Sequence, residues 1–444
     1  MPVYYHTFGC KANQYDTERM RQEAEARGAG TTSQRHEADT VVVNTCTVTN
    51  QADADARRFI RRLRRERPDV DIIVAGCSAA LHEATYRAMP GVVDVIAGHD
   101  PAAVAGSVDA VETPRLTTIE VRTSLDRMHL EPIGGSLLRT RAGASRGWLK
   151  VQDGCDRKCS FCATRLARGA SRSRGADEVV AEARLLARHH PELVVTGIHI
   201  GHYGLDLDPS SSLSQLCARL LDEVPDVRFR LGSVEATEVD DLLIELLAGS
   251  GGRLTPHLHM PLQSGADPVL RRMRRWHTRE QYRRRALEIA ERVDPLGLGA
   301  DVITGFPGET DADHESTRML IDELPFTYLH VFPFSPRNDT VAAELPDPVP
   351  QRVAGERARE LRELAMNKGA AYRTRRIGSE AVVVPEGQGG SGLTEDYLRV
   401  GVRGAEDTRG AARPSDGTRD ARPALVRGTL RADGADLYIE PPAA

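Results

Sequence analysis

From Met1 to Gly106, short apolar runs alternate with stretches whose apolar positions recur at helical spacing. VYYHTF leads into Gln14 to Arg27, TVVVN into Asp53 to Arg67, and DIIVAG into a short helical stretch that ends before GVVDVIAG. Strand-like runs separated by amphipathic segments predict an α/β layer with a parallel sheet over residues 1–112. Residues 113–146 lose that rhythm and collect Thr, Arg, Gly and Ser, the composition of a linker with room for one added strand.

From Trp148 to Phe334 the alternation returns with six β-like runs, near residues 148, 193, 227, 257, 298 and 328, with amphipathic segments between them. Repeated βα units again predict a parallel sheet. Six units are too few for a closed eight-stranded barrel, so an open, partial (β/α)6 barrel is expected over 147–376. Its last part, 351–376, reads as a trailing Arg/Glu helix after the breaker run LPDPVP. From Ser379 the pattern changes to the short β runs AVVVP, YLRVGV, ALVRGTL and LYIE, separated by Gly-rich turns. They predict a small β-barrel over 377–444, with a compositionally loose loop at 404–423 inside it.

A length of 444 residues suits this multi-part division, and 40% hydrophobic with 28% charged residues is ordinary for a water-soluble chain. No apolar run approaches the ~18 residues a membrane helix needs. The opening MPVYYHTFGCKANQ has neither a basic leader nor an apolar signal core, so a cytoplasmic monomer without membrane association is expected. A net charge of −5, from 59 basic and 64 acidic residues, excludes a coat of positive charge, and nucleic acid would need local patches. The bases are almost all arginine, with Lys11, Lys150, Lys158 and Lys368 as the exceptions. Seven arginines fall between Arg57 and Arg67 and eight between Arg271 and Arg285, serving either phosphate neutralisation or a solvated helix face.

Seven cysteines, an odd and scattered set, argue against a disulfide framework. Cys155, Cys159 and Cys162 form C-x3-C-x2-C after the first barrel strand, WLKVQ, at the mouth where ligating loops belong. Three thiolates this close can hold three irons of a 4Fe-4S cluster and leave the fourth open to a small molecule. The alternative is a structural zinc site short of one ligand. Cys10, Cys46 and Cys77 are far apart in sequence, yet each lies at the C-terminal end of a predicted strand, and in a parallel sheet those ends share one edge. They could converge on a second cluster or be buried structural cysteines. Cys217 shares a helical face with Leu213, Leu216, Leu220, Leu221 and Val224 and reads as core.

C-x3-C-x2-C with Phe161 before its last cysteine, at the head of a six-unit βα array, resembles the radical S-adenosylmethionine (SAM) superfamily. TFGCKANQYDTE, VVNTCTVTN, AGC, GFPGET at 305–310 and GLTEDYLRV at 392–400 are similar to the methylthiotransferases within it. Nearly the whole chain follows that family's order of methylthiotransferase, radical SAM and TRAM domains. CKANQYDTE, NTCTVTN, TGIHIGHYGLD and HLHMPLQSGAD look most like the branch acting on threonylcarbamoyladenosine at position 37 of tRNA. Sister branches modify isopentenyladenosine in tRNA or an aspartate of a ribosomal protein.

The resemblance implies transfer of a methylthio group to C2 of adenine. It implies two 4Fe-4S clusters, one on Cys155, Cys159 and Cys162 that chelates SAM, and one on Cys10, Cys46 and Cys77 that presents sulfur. No catalytic group beyond the two clusters is identified. SAM contacts are expected from the Phe161 loop, Thr196, Gly197, Ser233, Glu235, Ile303 and Gly305, with strand-end packing as the plain alternative. Ser78, Arg165 and Ala236 depart from the family's pattern. The anticodon loop is expected to meet Arg168, Arg172 and Arg174 after the cluster loop, and Tyr397 in the TRAM-like barrel, whose second half is degenerate. An electron donor and a sulfur source complete the expected partners. An iron-sulfur RNA-binding sensor that uses no SAM is the competing reading from another class.

Overall fold

The computed structural model describes residues 2–112, 136–141, 143–387, 390–403, 422–434 and 436–442. Most of the expected linker and nearly all of the expected loose loop lie outside the described residues.

The N-terminal layer is a parallel sheet in the order β2-β1-β3-β4-β5, with β1 at Pro2–Thr7, β2 at Gly30–Thr31, β3 at Thr40–Thr45, β4 at Asp71–Gly76 and β5 at Val92–Val95. Its helices are α1 (Lys11–Ala26), α2 (Asn50–Glu66), α3 (Cys77–Leu81), α4 (Glu83–Arg87) and α5 (Pro101–Glu112). Alternate side chains of β3 explain why both faces are covered. Val42 joins Val3, Ile73, Met20 and Val104 in one core, while Val41 and Val43 join Phe59, Ile60 and Leu63 of α2 in another. Ser78, where the family pattern differs, is buried and its hydroxyl is shared by Asp53 and Tyr86.

Next come β6 (Arg146–Lys150) and a short antiparallel pair, β7 (Gln152–Asp153) with β8 (Arg172–Ser173). The remaining barrel strands are β9 (Glu192–Thr196), β10 (Arg228–Leu231), β11 (His257–His259), β12 (Gly297–Thr304) and β13 (Tyr328–Pro333). They form two parallel three-stranded sheets, β6-β9-β10 and β11-β12-β13. Single bridges at Phe229–Leu254 and Ser233–His259 continue the array across the gap. This is the open, six-unit barrel expected. Helices α6 (Thr164–Arg168), α7 (Ala176–Ala187), α8 (Leu213–Glu223), α9 (Asp241–Gly249), α10 (Asp267–Arg272), α11 (Arg279–Arg292) and α12 (Asp311–Glu323) lie between the strands. Reciprocal capping boxes start α8, α11 and α12, at Ser212/Gln215, Thr278/Gln281 and Thr310/Asp313. Cys217 is buried on α8 within the barrel core. The trailing helix α13 (Gln351–Arg376) packs along β13 and contributes Ala358 and Leu361 to the same core.

Strands β14 (Glu380–Glu386), β15 (Ser391–Leu393), β16 (Arg399–Val402), β17 (Val426–Asp433) and β18 (Asp436–Glu440) close into a barrel in the order β14-β15-β16-β18-β17, around Val383, Val400, Leu430 and Ile439. It docks on the N-terminal mouth of the larger barrel. Arg228 donates to Val382 O at 2.6 Å, and Arg230 donates to Thr394 O at 2.8 Å and Glu395 O at 3.0 Å. Buried Glu192 neutralises both guanidiniums, at 2.6 and 2.9 Å. A Cβ on Gly297 would fall 2.1 Å from Asp396 O, so glycine permits the approach. Tyr397, the RNA contact expected in this barrel, takes part in the joint: its ring stacks on His257 at 4.2 Å, with the Arg230 guanidinium 5.3 Å from its centroid.

Candidate active site

Three strand ends of the N-terminal sheet carry Cys10, Cys46 and Cys77. Cys10 caps α1, Cys46 follows β3, and Cys77 opens α3 after β4. The parallel register, Thr7 with Asn44 and Thr45 with Gly76, sets these ends side by side. Cys46 and Cys10 both lie close enough to Cys77 to act on its charge. Gly9, at φ +100°, allows the closure, because a Cβ there would fall 2.5 Å from Cys46 Sγ. Asn13 pins the turn by donating to Phe8 O and Thr45 O, both at 2.9 Å. Burial pushes the Cys77 thiol up to about 12 and also raises Cys46.

Cys155, Cys159 and Cys162 occupy the loop between β7 and α6, at the C-terminal mouth of the barrel. They too act on one another's charge, and burial pushes Cys155 up to about 12. His199 Nδ1 lies 3.5 Å from Cys155 Sγ while its Nε2 is 2.9 Å from Glu238. Burial alone would raise Glu238, but hydrogen bonds from His199 and His202 bring it down to about 2. Arg275 donates to Cys159 Sγ at 3.6 Å and pairs with Glu235. Trp276 has the guanidiniums of Arg157 and Arg275 at 4.0 and 4.2 Å from its ring centroid.

The two sets are joined through protein. Arg168, at the end of α6 and 3% exposed, donates to Cys77 Sγ at 3.3 Å, to Asp153 at 2.9 Å and to Asp16 at 2.8 Å. Lys150 binds the same two carboxylates, at 2.6 Å to Asp16 and 2.5 Å to Asp153. Burial would raise Asp153, yet Arg168 and Lys150 together hold it far below the usual carboxylate range. Arg337 lies within electrostatic reach of both Cys46 and Cys162, so the sets flank a common space. Cys10 and Cys162, one from each set, are the exposed members.

The expected RNA contacts need correction here. Arg168 is consumed by Asp153, Asp16 and Cys77. Arg174, 2% exposed, is consumed by Glu182 at 2.9 Å and by the Lys150 carbonyl at 2.7 Å. Neither reaches a phosphate, because burying an arginine beside carboxylates satisfies its fork internally. Arg172 lies in β8, paired with Asp153 across the hairpin. In the run at 271–285, Arg275 pairs with Glu235, Arg283 with Glu323 and Arg285 with Asp241, while Arg271, Arg274 and Arg284 are exposed.

The expected SAM positions lie at the ends of β9, β10 and β12, on the same mouth as Cys155. Gly197 has no space for a side chain, since a Cβ would meet Gln152 O at 2.7 Å, and Gln152 Oε1 accepts from His199 N at 2.7 Å. Thr196 and Glu235 are buried and Ser233 is exposed. Ile303 and Phe161 pack with Phe306, which anchors the cysteine loop to the barrel. Gly305 turns away, donating to Glu309 Oε1 at 3.0 Å with its Cα against Ala354 of α13, and so serves the turn. Sequence reasoning missed His199, Glu238, Asp16 and Asn13. The signal available was weak: Asn13, Asp16 and His199 stand inside motifs quoted above and Glu238 three residues after Glu235, but they find partners far along the chain.

In each set three soft sulfur donors lie within electrostatic reach of one another, too far apart for one ion to touch all three, and one of them is exposed. This fits an iron-sulfur cluster with an open iron better than a four-ligand zinc site. Comparison with known proteins agrees with this donor chemistry. The uncharacterized protein family UPF0004 matches residues 2–98 and the radical SAM superfamily matches residues 149–321. The chain is 36% identical to threonylcarbamoyladenosine tRNA methylthiotransferase MtaB of Bacillus subtilis over 92% of each chain. It is 34% identical to the Thermotoga maritima protein of that name over 89% of each. It is 32% identical to tRNA-2-methylthio-N(6)-dimethylallyladenosine synthase of Bacillus pumilus, over 87% of this chain and 76% of that one. Among solved structures, the radical S-adenosylmethionine methyltransferase TsrM from Kitasatospora setae aligns over 77% of each chain with a TM-score of 0.60 and 16% identity, a likeness of fold.

Proposed function

Since this chain belongs to the radical SAM methylthiotransferase family, we propose that it is the tRNA methylthiotransferase that adds a methylthio group to C2 of N6-threonylcarbamoyladenosine at position 37. The observation that carries the reading is the meeting of two three-cysteine sets, from two different sheets, around Arg337 and Arg168. A single set would serve a structural cluster, whereas two sets opening on one space suit a reaction that needs a radical source and a sulfur source at one carbon.

Cys155, Cys159 and Cys162 would hold the cluster that binds SAM, and Cys10, Cys46 and Cys77 the one that presents sulfur; together these groups supply the radical and the methylthio group. The rest of the chain positions and encloses. His199, bridged to Glu238, fixes one side of the Cys155 thiol, and Arg275 fixes the Cys159 thiol while holding Glu235. Arg168, Lys150, Asp16 and Asp153 lock the N-terminal layer to the barrel and so fix the two sets relative to one another. Position 37 lies in a single-stranded loop, whose base can leave the stack without breaking a duplex. With Arg168 and Arg174 occupied, phosphate contact falls to the exposed rim residues Lys158 and Arg165 beside the cysteine loop. The C-terminal barrel is taken as TRAM-like.

Mass analysis of tRNA nucleosides from a strain lacking the protein tests the assignment. Loss of 2-methylthio-threonylcarbamoyladenosine, with the isopentenyladenosine derivative and ribosomal peptides unchanged, is expected. Loss of either of the latter instead would move the enzyme to a sister branch.

A further inference from the structure

Lys11, the residue after Cys10, has no hydrogen bond or ion pair among the described residues; the ring of Trp148 lies 6.0 Å from its Nζ. Its charge is felt by Arg146, Arg230, Glu192 and His257, residues of β6, β10, β9 and β11. The side chain therefore runs from the N-terminal layer toward the lumen of the barrel. The nearby anion is already claimed. Glu192 is bound by Arg228 at 2.6 Å and Arg230 at 2.9 Å and lies 3.7 Å from Arg146, which also takes Glu386 at 2.6 Å. Lys150, the other lysine near this space, is paired with two aspartates. A half-buried ammonium set beside two guanidiniums and without a partner of its own is poised for a ligand that supplies the opposite charge.

The chemistry of the base says which group arrives there. In adenine, C2 and the carbon bearing N6 flank N1, so an N6 substituent that folds toward N1 ends beside C2. Sulfur delivered from the Cys10, Cys46 and Cys77 side therefore has that substituent as its neighbour, and Lys11 is bonded directly to the first of those cysteines. A threonylcarbamoyl group ends in a carboxylate, while an isopentenyl group carries no charge.

We propose that Lys11 binds the carboxylate of the threonylcarbamoyl group and so selects this adenosine over one with an uncharged N6 substituent. The inference rests on the function proposed above. The selection follows from charge, because an uncharged substituent would leave the ammonium unpaired beside Arg146 and Arg230.

The test is the affinity of cluster-loaded, full-length protein for anticodon stem-loop RNAs carrying threonylcarbamoyladenosine as the free acid or as its methyl ester. The wild type should favour the acid by about tenfold or more. Lys11→Met should bind both RNAs equally, at the wild-type ester affinity. Lys11→Gln is measured in parallel and replaces Lys11→Met if that variant holds less iron than wild type. An unchanged acid-over-ester ratio in the variant, or equal binding of acid and ester by the wild type, overturns the role of Lys11. Failure of the functional reading looks different, with the wild type methylthiolating an isopentenyladenosine stem-loop and leaving the threonylcarbamoyl stem-loop unmodified.

Discussion

Arg168 shows how a residue read alone can mislead. Its place after the cysteine loop suggests phosphate, but Asp16, which claims it, stands far earlier in the chain, and no local pattern announces such a pairing. Lys11 and Lys150 carried more signal, because a chain that uses arginine almost throughout places two of its four lysines at this site. A guanidinium offers a broad fork, whereas an ammonium is a compact point charge that fits a narrow space. Replacing Arg168 by Met should leave two buried carboxylates, Asp153 and Asp16, to share the single charge of Lys150. A loss of roughly 3–5 kcal/mol is expected, read as a lower urea midpoint of the metal-free protein.

Among elements, strands with unbroken apolar runs were legible: β3, β4 and β9 stand where the sequence puts them because both their faces are covered. The two-residue strands β2, β7 and β8 were not, since pairs this short have no periodicity to read. The joint between barrels was equally hidden, being built from Arg228, Arg230 and Glu192 against backbone carbonyls far along the chain. Gly297→Ala should push on Asp396 O and loosen this joint, which limited proteolysis near Ile377 would report as faster release of the C-terminal barrel. The joint should also be acid-sensitive. Burial would raise Glu192, but Arg230 and Arg228 depress it from 4.5 to about 2, so its contribution is complete above its unfolded value and fades as pH falls through the folded one. Melting temperature should accordingly drop between about pH 5 and pH 2, and Glu192→Gln should flatten that slope.

Over the whole molecule, the order of layer, partial barrel and small barrel could be read from periodicity, but not how they face one another. That arrangement makes the division of labour testable. Cys159→Ala should abolish 5′-deoxyadenosine formation from SAM, whereas Cys46→Ala should keep SAM cleavage and lose methylthio transfer by a hundredfold or more, on the order of 3 kcal/mol. Equal loss of cleavage in both variants would contradict separate roles.

The bond from Arg168 to Cys77 Sγ also bears on how the enzyme is matured. The side chain reaches from the helix just beyond Cys162 into the other cysteine set, and the Asp16 and Asp153 pairs hold it there through protein atoms alone. These pairs are expected to keep the N-terminal layer docked on the barrel in protein emptied of iron, so limited proteolysis of the metal-free enzyme should not release the layer faster.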